Sequence, residues 1–373
     1  MAIPGTFTTY DLATGVKLDI EDIIYLISPF DVPLQGGMGT DGLTALSTGS
    51  IFEKKAEWLD EQLLTPKTTL AASMTTTATS LILAAGTGVS FQTGDVLTVD
   101  QEQLYVSGWG TTADYLIVTR GFNGTTATTM VTGDTVLGIG SALPEGSDPP
   151  AARAIDRTDR FNYTQIFGPV AITVSGTEQV VQKYGLVSTE FDHQVANRIK
   201  EQFITFEQAI LNGIASAGSA TVGRTMGGFE YWIVTNVDTT TTTLTDSTLM
   251  VQGQACFDAG GNPNRFLVGS KQKRVLSAIN ATEIRYEQGT NTRGQVVSYY
   301  DTDYGRWEII LDRWAKTNQA FLFNRDDVEI STLRPFQFQM LAKTGDSEKG
   351  QVVGEKTIKF KKQSHAARFT ALT

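Results

Sequence analysis

The hydrophobic pattern changes character several times along the chain, and its clearest passage lies just past the middle. Val187, Phe191, Val195, Ile199, Phe203, Phe206 and Ile210 recur at spacings of four, four, four, four, three and four. On a 3.6-residue period these positions form one continuous apolar face, so the spacing predicts a single long helix. Ser188 or Thr189 is placed to cap its start and Gly213 to stop it, which gives roughly 25 residues and about 38 Å. A helix this long in a mixed chain is expected to be a spine against which a sheet packs.

Upstream the period shortens to two. From Thr68 the chain turns rich in Thr, Ala and Gly, with β-branched runs at Thr79 to Ala84, Asp95 to Val99, Gln103 to Gly108, Asp114 to Arg120 and Asp134 to Gly140. Strands of about five residues separated by Gly-containing turns predict a small antiparallel barrel or sandwich. The module closes at the Pro-rich stretch Pro144 to Pro150. On either side, Glu53 to Lys67 and Ala152 to Gly176 are charged and partly extended, and they read as the legs of one hairpin into which the barrel is inserted. The first 50 residues carry one short helical pattern, with Asp19 as its cap, Ile20, Ile23, Ile24 and Ile27 on one face, and Pro29 and Pro33 beyond it. Its flanks have no period, so this part reads as an arm that orders against something else.

After the spine the pattern is mixed. A helix is predicted around Ser247 to Ala259, closed by Gly260 and Gly261, then a buried strand at Arg265 to Gly269 and a short helix from Lys271 to Ile279. A hairpin follows, QVVSYY to RWEIILD, turning on DTDYG (Asp301 to Gly305). Further strands are expected at Ala320 to Asn324, Val328 to Thr332, Phe336 to Met340 and Gly354 to Lys362. No fixed-period repeat suggests a solenoid or propeller.

Composition removes several classes of function. The 373 residues hold 30 Lys plus Arg against 40 Asp plus Glu, a net charge of -10, whereas a general nucleic-acid binder clusters positive charge. One Cys allows no intrachain disulfide, and two His with one Cys exclude the usual four-ligand zinc sites. The first residues lack the basic and apolar regions of a signal peptide, and apolar runs such as Ile23 to Ile27 fall far short of the roughly 18 residues that span a bilayer. A soluble, unexported protein is expected.

The search for chemistry finds no constellation. No phosphate-binding Gly loop follows a strand. DTDYG offers alternate carboxylates of the kind calcium uses, but it lacks the later ligands of a calcium loop, and a hairpin turn demands Asp and Gly anyway. His193 neighbours Asp192 on the spine, but adjacent helix residues point about 100° apart. His365 sits among Lys361, Lys362 and Arg368 and reads as a solvated basic patch. Cys256 reads as a small buried residue, Trp307 and Trp314 as core or interface anchors, and Asp326 with Asp327 as a solvated bend. No catalytic, cofactor or metal residue is therefore assigned, and an enzyme is not expected.

An arm, a long hairpin and an inserted barrel are poorly buried on an isolated monomer and call for neighbouring subunits. The order of elements resembles the tailed-bacteriophage major capsid proteins of the HK-ninety-seven-like fold. The resemblance is carried by ISPFDVPL (Ile27 to Leu34), EWLDEQL (Glu57 to Leu63), NYTQIF (Asn162 to Phe167), VSGT (Val174 to Thr177), KYG (Lys183 to Gly185) before the spine, and KTIKFKKQSHAARF (Lys356 to Phe369) at the end. It implies an α+β fold with an N-terminal arm over 1–50 and an extended loop over 51–65 and 143–180. It further implies an inserted β-barrel over 66–142, a peripheral domain over 181–221 and 320–373, and an axial domain over 222–319. RGFNGTTATTMVTGD (Arg120 to Asp134) resembles small β-modules inserted in other phage structural proteins, which implies a barrel that projects outward or bridges capsomers.

The function implied is structural: self-assembly into hexamers and pentamers of an icosahedral head enclosing double-stranded DNA without specific binding. The implied place is the virion, after assembly in the host cytoplasm, with decoration, portal and scaffolding proteins as partners and no membrane. Lys54, Lys55, Arg153, Arg157 and Arg160 on the loop legs are expected to pair with acidic groups of neighbouring subunits. Two alternatives share some of these features: an encapsulin-like compartment shell, and a carbohydrate-binding adhesin with the Thr-rich barrel as its head.

Overall fold

The computed structural model describes residues 28, 30–36, 46–61, 63–148, 150, 157–183, 189–280 and 299–373. The expected arm helix after Asp19 lies outside them. The chain divides into two compact units, one of Met1–Trp58 with Arg160–Thr373 and the other of Leu59–Asp159.

The first unit is built on two sheets. One has the order β1 (Ser47–Ser50), β16 (Val328–Leu341), β17 (Ser347–Phe360), β10 (Gln165–Ser175), with β1 parallel to β16 and the other pairs antiparallel. The spine helix α2 (Glu190–Asn212) packs on it. Thr189 is the N-cap, its hydroxyl accepting from the Asp192 N–H, and Gly213 follows the last turn, as the spacing requires. The contact is aromatic, because β16 alternates Phe and Gln at its far end and a strand sends alternate side chains to one face. Phe336 meets Phe203 and Phe338 meets Phe191 edge to face, at 5.1 and 5.6 Å between centroids.

The sequence pattern split this strand in two, at Val328 to Thr332 and Phe336 to Met340. The structure joins them, with register shifts on both sides of Arg334. Pro335 has no N–H to give the ladder, so the pairing steps around it and resumes. β17 likewise starts at Ser347, ahead of the expected Gly354.

The second sheet runs β11 (Asn236–Asp238), β18 (Ala367–Phe369), β15 (Ala320–Phe323), β12 (Arg265–Val268), β14 (Gly305–Leu311), β13 (Tyr299–Thr302). Helices α4 (Asp246–Asp258) and α5 (Ser270–Asn280) accompany it, α4 opening with a Thr245/Thr248 capping box. On α4, a Cβ at Gly253 would stand 2.8 Å from the Trp307 ring, so Gly is what lets the helix approach it. The short helix α3 (Phe229–Trp232) places Phe229 in the main core, with ring contacts to Phe321, Phe323 and Phe360.

The second unit is a closed barrel. Its six strands follow the order β3 (Lys67–Thr69), β8 (Thr135–Ser141), β5 (Asp95–Val99), β6 (Glu102–Trp109), β7 (Tyr115–Thr119), β4 (Ser80–Ile82), every pair antiparallel. The two edges meet through a Leu70–Leu83 bridge and the bonds Ala71 N to Ile82 O and Ala84 N to Thr69 O, both 2.9 Å. Closure leaves no open edge to pair with another chain. Leu81, Leu97, Leu104, Val106, Leu116 and Val136, all buried, belong to the cluster that fills the interior.

The chain passes between the units on β2 (Lys55–Glu61) and β9 (Arg157–Tyr163), which pair as a two-stranded ribbon. The downstream stretch, read from sequence as one leg through Gly176, holds two strands: β9 pairs with β2, and from Gln165 the chain is β10 of the four-stranded sheet. The cause is apolar burial, since Phe167, Ile172 and Val174 are all buried there. α1 (Gly176–Val180) follows, capped by Ser175.

Candidate functional site

Three polar constructions stand out among the described residues. The first ties the root of the ribbon to the first unit, and it explains the NYTQIF motif. Asn162, fully buried, donates from Nδ2 to the carbonyls of Gly227 (2.9 Å) and Ile358 (2.8 Å) and accepts from the Gly227 N–H at 2.8 Å. Every hydrogen-bonding direction of its amide except one lone pair is thus used. Thr164 receives Arg224 Nε on its carbonyl at 2.8 Å and donates its hydroxyl to Glu355 Oε1 at 2.7 Å. Glu355 is also paired with Arg224 and, at 3.2 Å, with Arg334. Burial pushes the Glu355 carboxyl up, but the Thr164 hydroxyl and the two guanidiniums outweigh it and hold it below the usual range.

The second construction is a cradle for residues 30–36 on the spine helix. Leu34 is fully buried, and its N–H donates to Glu207 Oε1 at 2.8 Å. Gln35 Nε2 donates to Glu207 Oε2 at 2.7 Å and to the Phe203 carbonyl at 2.8 Å. Trp314 Nε1 donates to the Asp31 carbonyl at 2.8 Å, and Phe30 lies edge-on to Phe203. Glu207 and Asp312 are both 0% exposed. Desolvation, the Asp312 charge and the Asp31 charge push Glu207 up to about 8, against the Gln35 and Leu34 bonds; desolvation pushes Asp312 up to about 6.

The third holds the barrel. Arg120 forks onto buried Glu102, Nε to Oε1 and Nη2 to Oε2, both at 2.7 Å. The guanidinium also donates to the carbonyls of Thr75, Ala78 and Thr128. Glu102 accepts further from the N–H groups of Gly121 and Thr128, so one ion pair pins the 121–130 loop. Burial raises the Glu102 carboxyl, and the Arg120 and backbone bonds lower it further, for a net depression.

The residues weighed for chemistry disperse. Asp301 pairs with exposed Arg306 at 3.0 Å, and Asp303 with Tyr304 forms the turn before Gly305, whose φ of +126° favours glycine. Among the described residues no group of three or more His, Cys, Asp or Glu is placed to hold a metal ion. His193 contacts Asn197 at 3.1 Å. His365, expected in a solvated patch, instead lies 3.5 Å from Asp327, and Asp327 is buried rather than part of a solvated bend. The β16–β17 ladder draws it in, through the Lys361 N–H on its carbonyl. Cys256 is buried, with its thiol pushed up to about 12 by desolvation. Trp307 is core, and Trp314 anchors Asp31.

On the loop legs, Arg157 pairs with Glu61 of its own chain at 3.4 Å, and the Lys55 ammonium lies 4.7 Å from the Phe161 ring centroid. Arg153 lies outside the described residues. Glu207 was passed over in the sequence, although a signal was present: it stands four residues from both Phe203 and Leu211, on the flank of the apolar stripe.

Solved structures of phage chains align with this one. A chain of Mycobacterium phage Cain aligns over 99% of both chains at 8% identity with a TM-score of 0.53. A chain of Microbacterium phage Oxtober96 aligns over 98% of this chain and 99% of its own at 11% identity and a TM-score of 0.49. A chain from the capsid of cyanophage P-SCSP1u aligns over 88% and 87% at 9% identity and 0.45. No curated protein sequence matches. This is a mixed α/β chain with the fold of phage capsid subunits. Residues 3–373 match the family model described as SU10 major capsid protein, and the chain belongs to that family. Its role is structural, as a subunit of a capsid shell, and the family is not an enzyme class.

Proposed function

We propose that this subunit closes into hexamers and pentamers of an icosahedral head that encloses double-stranded DNA, in the manner of the HK-ninety-seven-like fold. In this reading residues 1–50 are the arm, 51–65 and 143–180 the extended loop, and 66–142 a barrel inserted in that loop. The peripheral domain is 181–221 with 320–373, and the axial domain 222–319. The observation that carries the reading is the ribbon: the chain leaves its main unit on β2 and returns on β9, a two-stranded element that is marginal in water without further contacts. Neighbouring copies supply those contacts in a ring of head-to-tail interfaces.

The net charge of -10 suits a container that does not grip its contents, since each Lys or Arg on phosphate adds a salt-dependent tether. Lys54, Lys55, Arg153, Arg157 and Arg160 meet acidic groups of adjacent subunits, and the barrel faces outward or bridges capsomers. Assembly takes place in the host cytoplasm, with portal, scaffolding and decoration proteins as partners. Electron microscopy of the expressed chain tests this: closed icosahedral particles or tubes with the barrel on the outer surface are expected. Discrete small oligomers, or a barrel in the lumen, would overturn it.

A further inference from the structure

Residues 30–36 are held to the spine helix through a carboxyl that forms no ion pair among the described residues. The two donors on Glu207, the Leu34 N–H and Gln35 Nε2, are neutral. Asp312 accepts the Trp314 N–H on Oδ1 at 2.8 Å, while its Oδ2 is buried without a partner among the described residues. Two further charged groups near the cradle have partners of their own. Asp31, on the docked segment, pairs with Arg313 at 3.5 Å. Lys356, on β17, holds its ammonium over the rings of Phe203, Phe206 and Phe336, at 4.6 to 5.2 Å from the centroids. Among the described residues neither cation forms an ion pair with Glu207 or Asp312.

We propose that Glu207 and Asp312 form a proton-gated latch, which clamps residues 30–36 onto the spine helix while the pair holds a proton and loosens them when both carboxyls ionise. An ionised carboxylate in a dry site without a counter-charge is costly, and the Asp312 charge further opposes ionisation of Glu207. Undocking 30–36 exposes Glu207 to water and relieves that cost. The docked state therefore binds the proton more tightly than the undocked one, as the raised position of Glu207, about 8, also says. The sign follows: docking is at full strength below the ordinary carboxyl range, about pH 4.5, and weakens as pH rises towards 8.

The test is hydrogen exchange with mass spectrometry on the full-length, unassembled chain from pH 5.5 to 8.5, corrected for intrinsic exchange. Because it is read before any shell forms, it is independent of the assembly reading. Protection of the peptide covering 30–36 should fall by up to about tenfold per pH unit below 8, or roughly 50-fold between pH 6 and 8. Glu207→Gln, a neutral isostere that keeps an acceptor for the Leu34 N–H, should hold protection flat. Asp312→Asn should give a shallower slope than wild type, since it removes the neighbouring charge. A flat wild-type profile, or wild-type slopes in both variants, would overturn the latch; a wild-type slope in Asp312→Asn with a flat Glu207→Gln would overturn the pairing with Asp312.

Discussion

Arg120 is the most informative residue to remove. Arg120→Met keeps most of the stem that packs in the barrel but deletes the fork on Glu102, which is 0% exposed. The carboxylate would keep only its Gly121 and Thr128 N–H donors, and the carbonyls of Thr75, Ala78 and Thr128 would lose theirs. Breaking a buried ion pair from one side costs about 3 to 5 kcal/mol, because the remaining charge is left uncompensated. Hydrogen exchange on the full-length chain should show this loss in peptides spanning 71–79, β6, β7 and 121–130. Peptides from α2 and β17 should be unchanged, because the barrel is a separate compact unit and opens on its own. The double variant Glu102→Leu with Arg120→Met should recover only part of the loss: the buried charge is gone, yet the three carbonyls still lack their donor. A cost below about 1 kcal/mol in Arg120→Met would refute the reasoning, since that is the range of an exposed pair.

Phe229→Ala removes a fully buried ring in edge contact with Phe321, Phe323 and Phe360 and should cost about 3 to 5 kcal/mol in denaturant unfolding followed by Trp fluorescence. The hub at Glu355 should respond to acid in the opposite sense to the cradle of residues 30–36. Its carboxyl is held below the ordinary value of 4.5, so its contribution is present above that pH and is lost as pH falls through the depressed value. Glu355→Gln should therefore show a smaller drop in thermal stability between pH 5 and 3 than wild type does. The Cys256 thiol, buried and pushed up to about 12, should resist iodoacetamide at pH 8 in the native chain and label fully in guanidinium, by mass spectrometry.

What was legible in advance follows from the range of the forces involved. The spine helix, its Thr189 cap and its Gly213 end could be read because helix signals lie within four residues of one another. The barrel strands Asp95–Val99 and Glu102–Trp109 could be read because alternation and turns are equally local. Asn162 was visible within a recognisable motif, but nothing local says that its amide spans from β9 to Gly227 and Ile358. The edge strand β1 was passed over because Ser47–Ser50 has no pattern of its own; its conformation comes from a parallel partner some 280 residues away. Pro335 looked like a strand end and proved to be a detour within one strand, since β17 continues on both sides of it.

The sequence by itself determined a long helix, a run of short strands set into a charged hairpin and the -10 charge, together with the motifs that mark a capsid subunit. Only the tertiary structure decided that the barrel closes through Leu70 and Leu83, and that Glu207 lies buried beneath Leu34 and Gln35 with no ion pair among the described residues. The physical reason is that burial and strand partnership depend on residues distant in the chain, whereas periodicity and capping do not. A Glu beside an apolar stripe reads as solvent-facing until a second segment is laid over it.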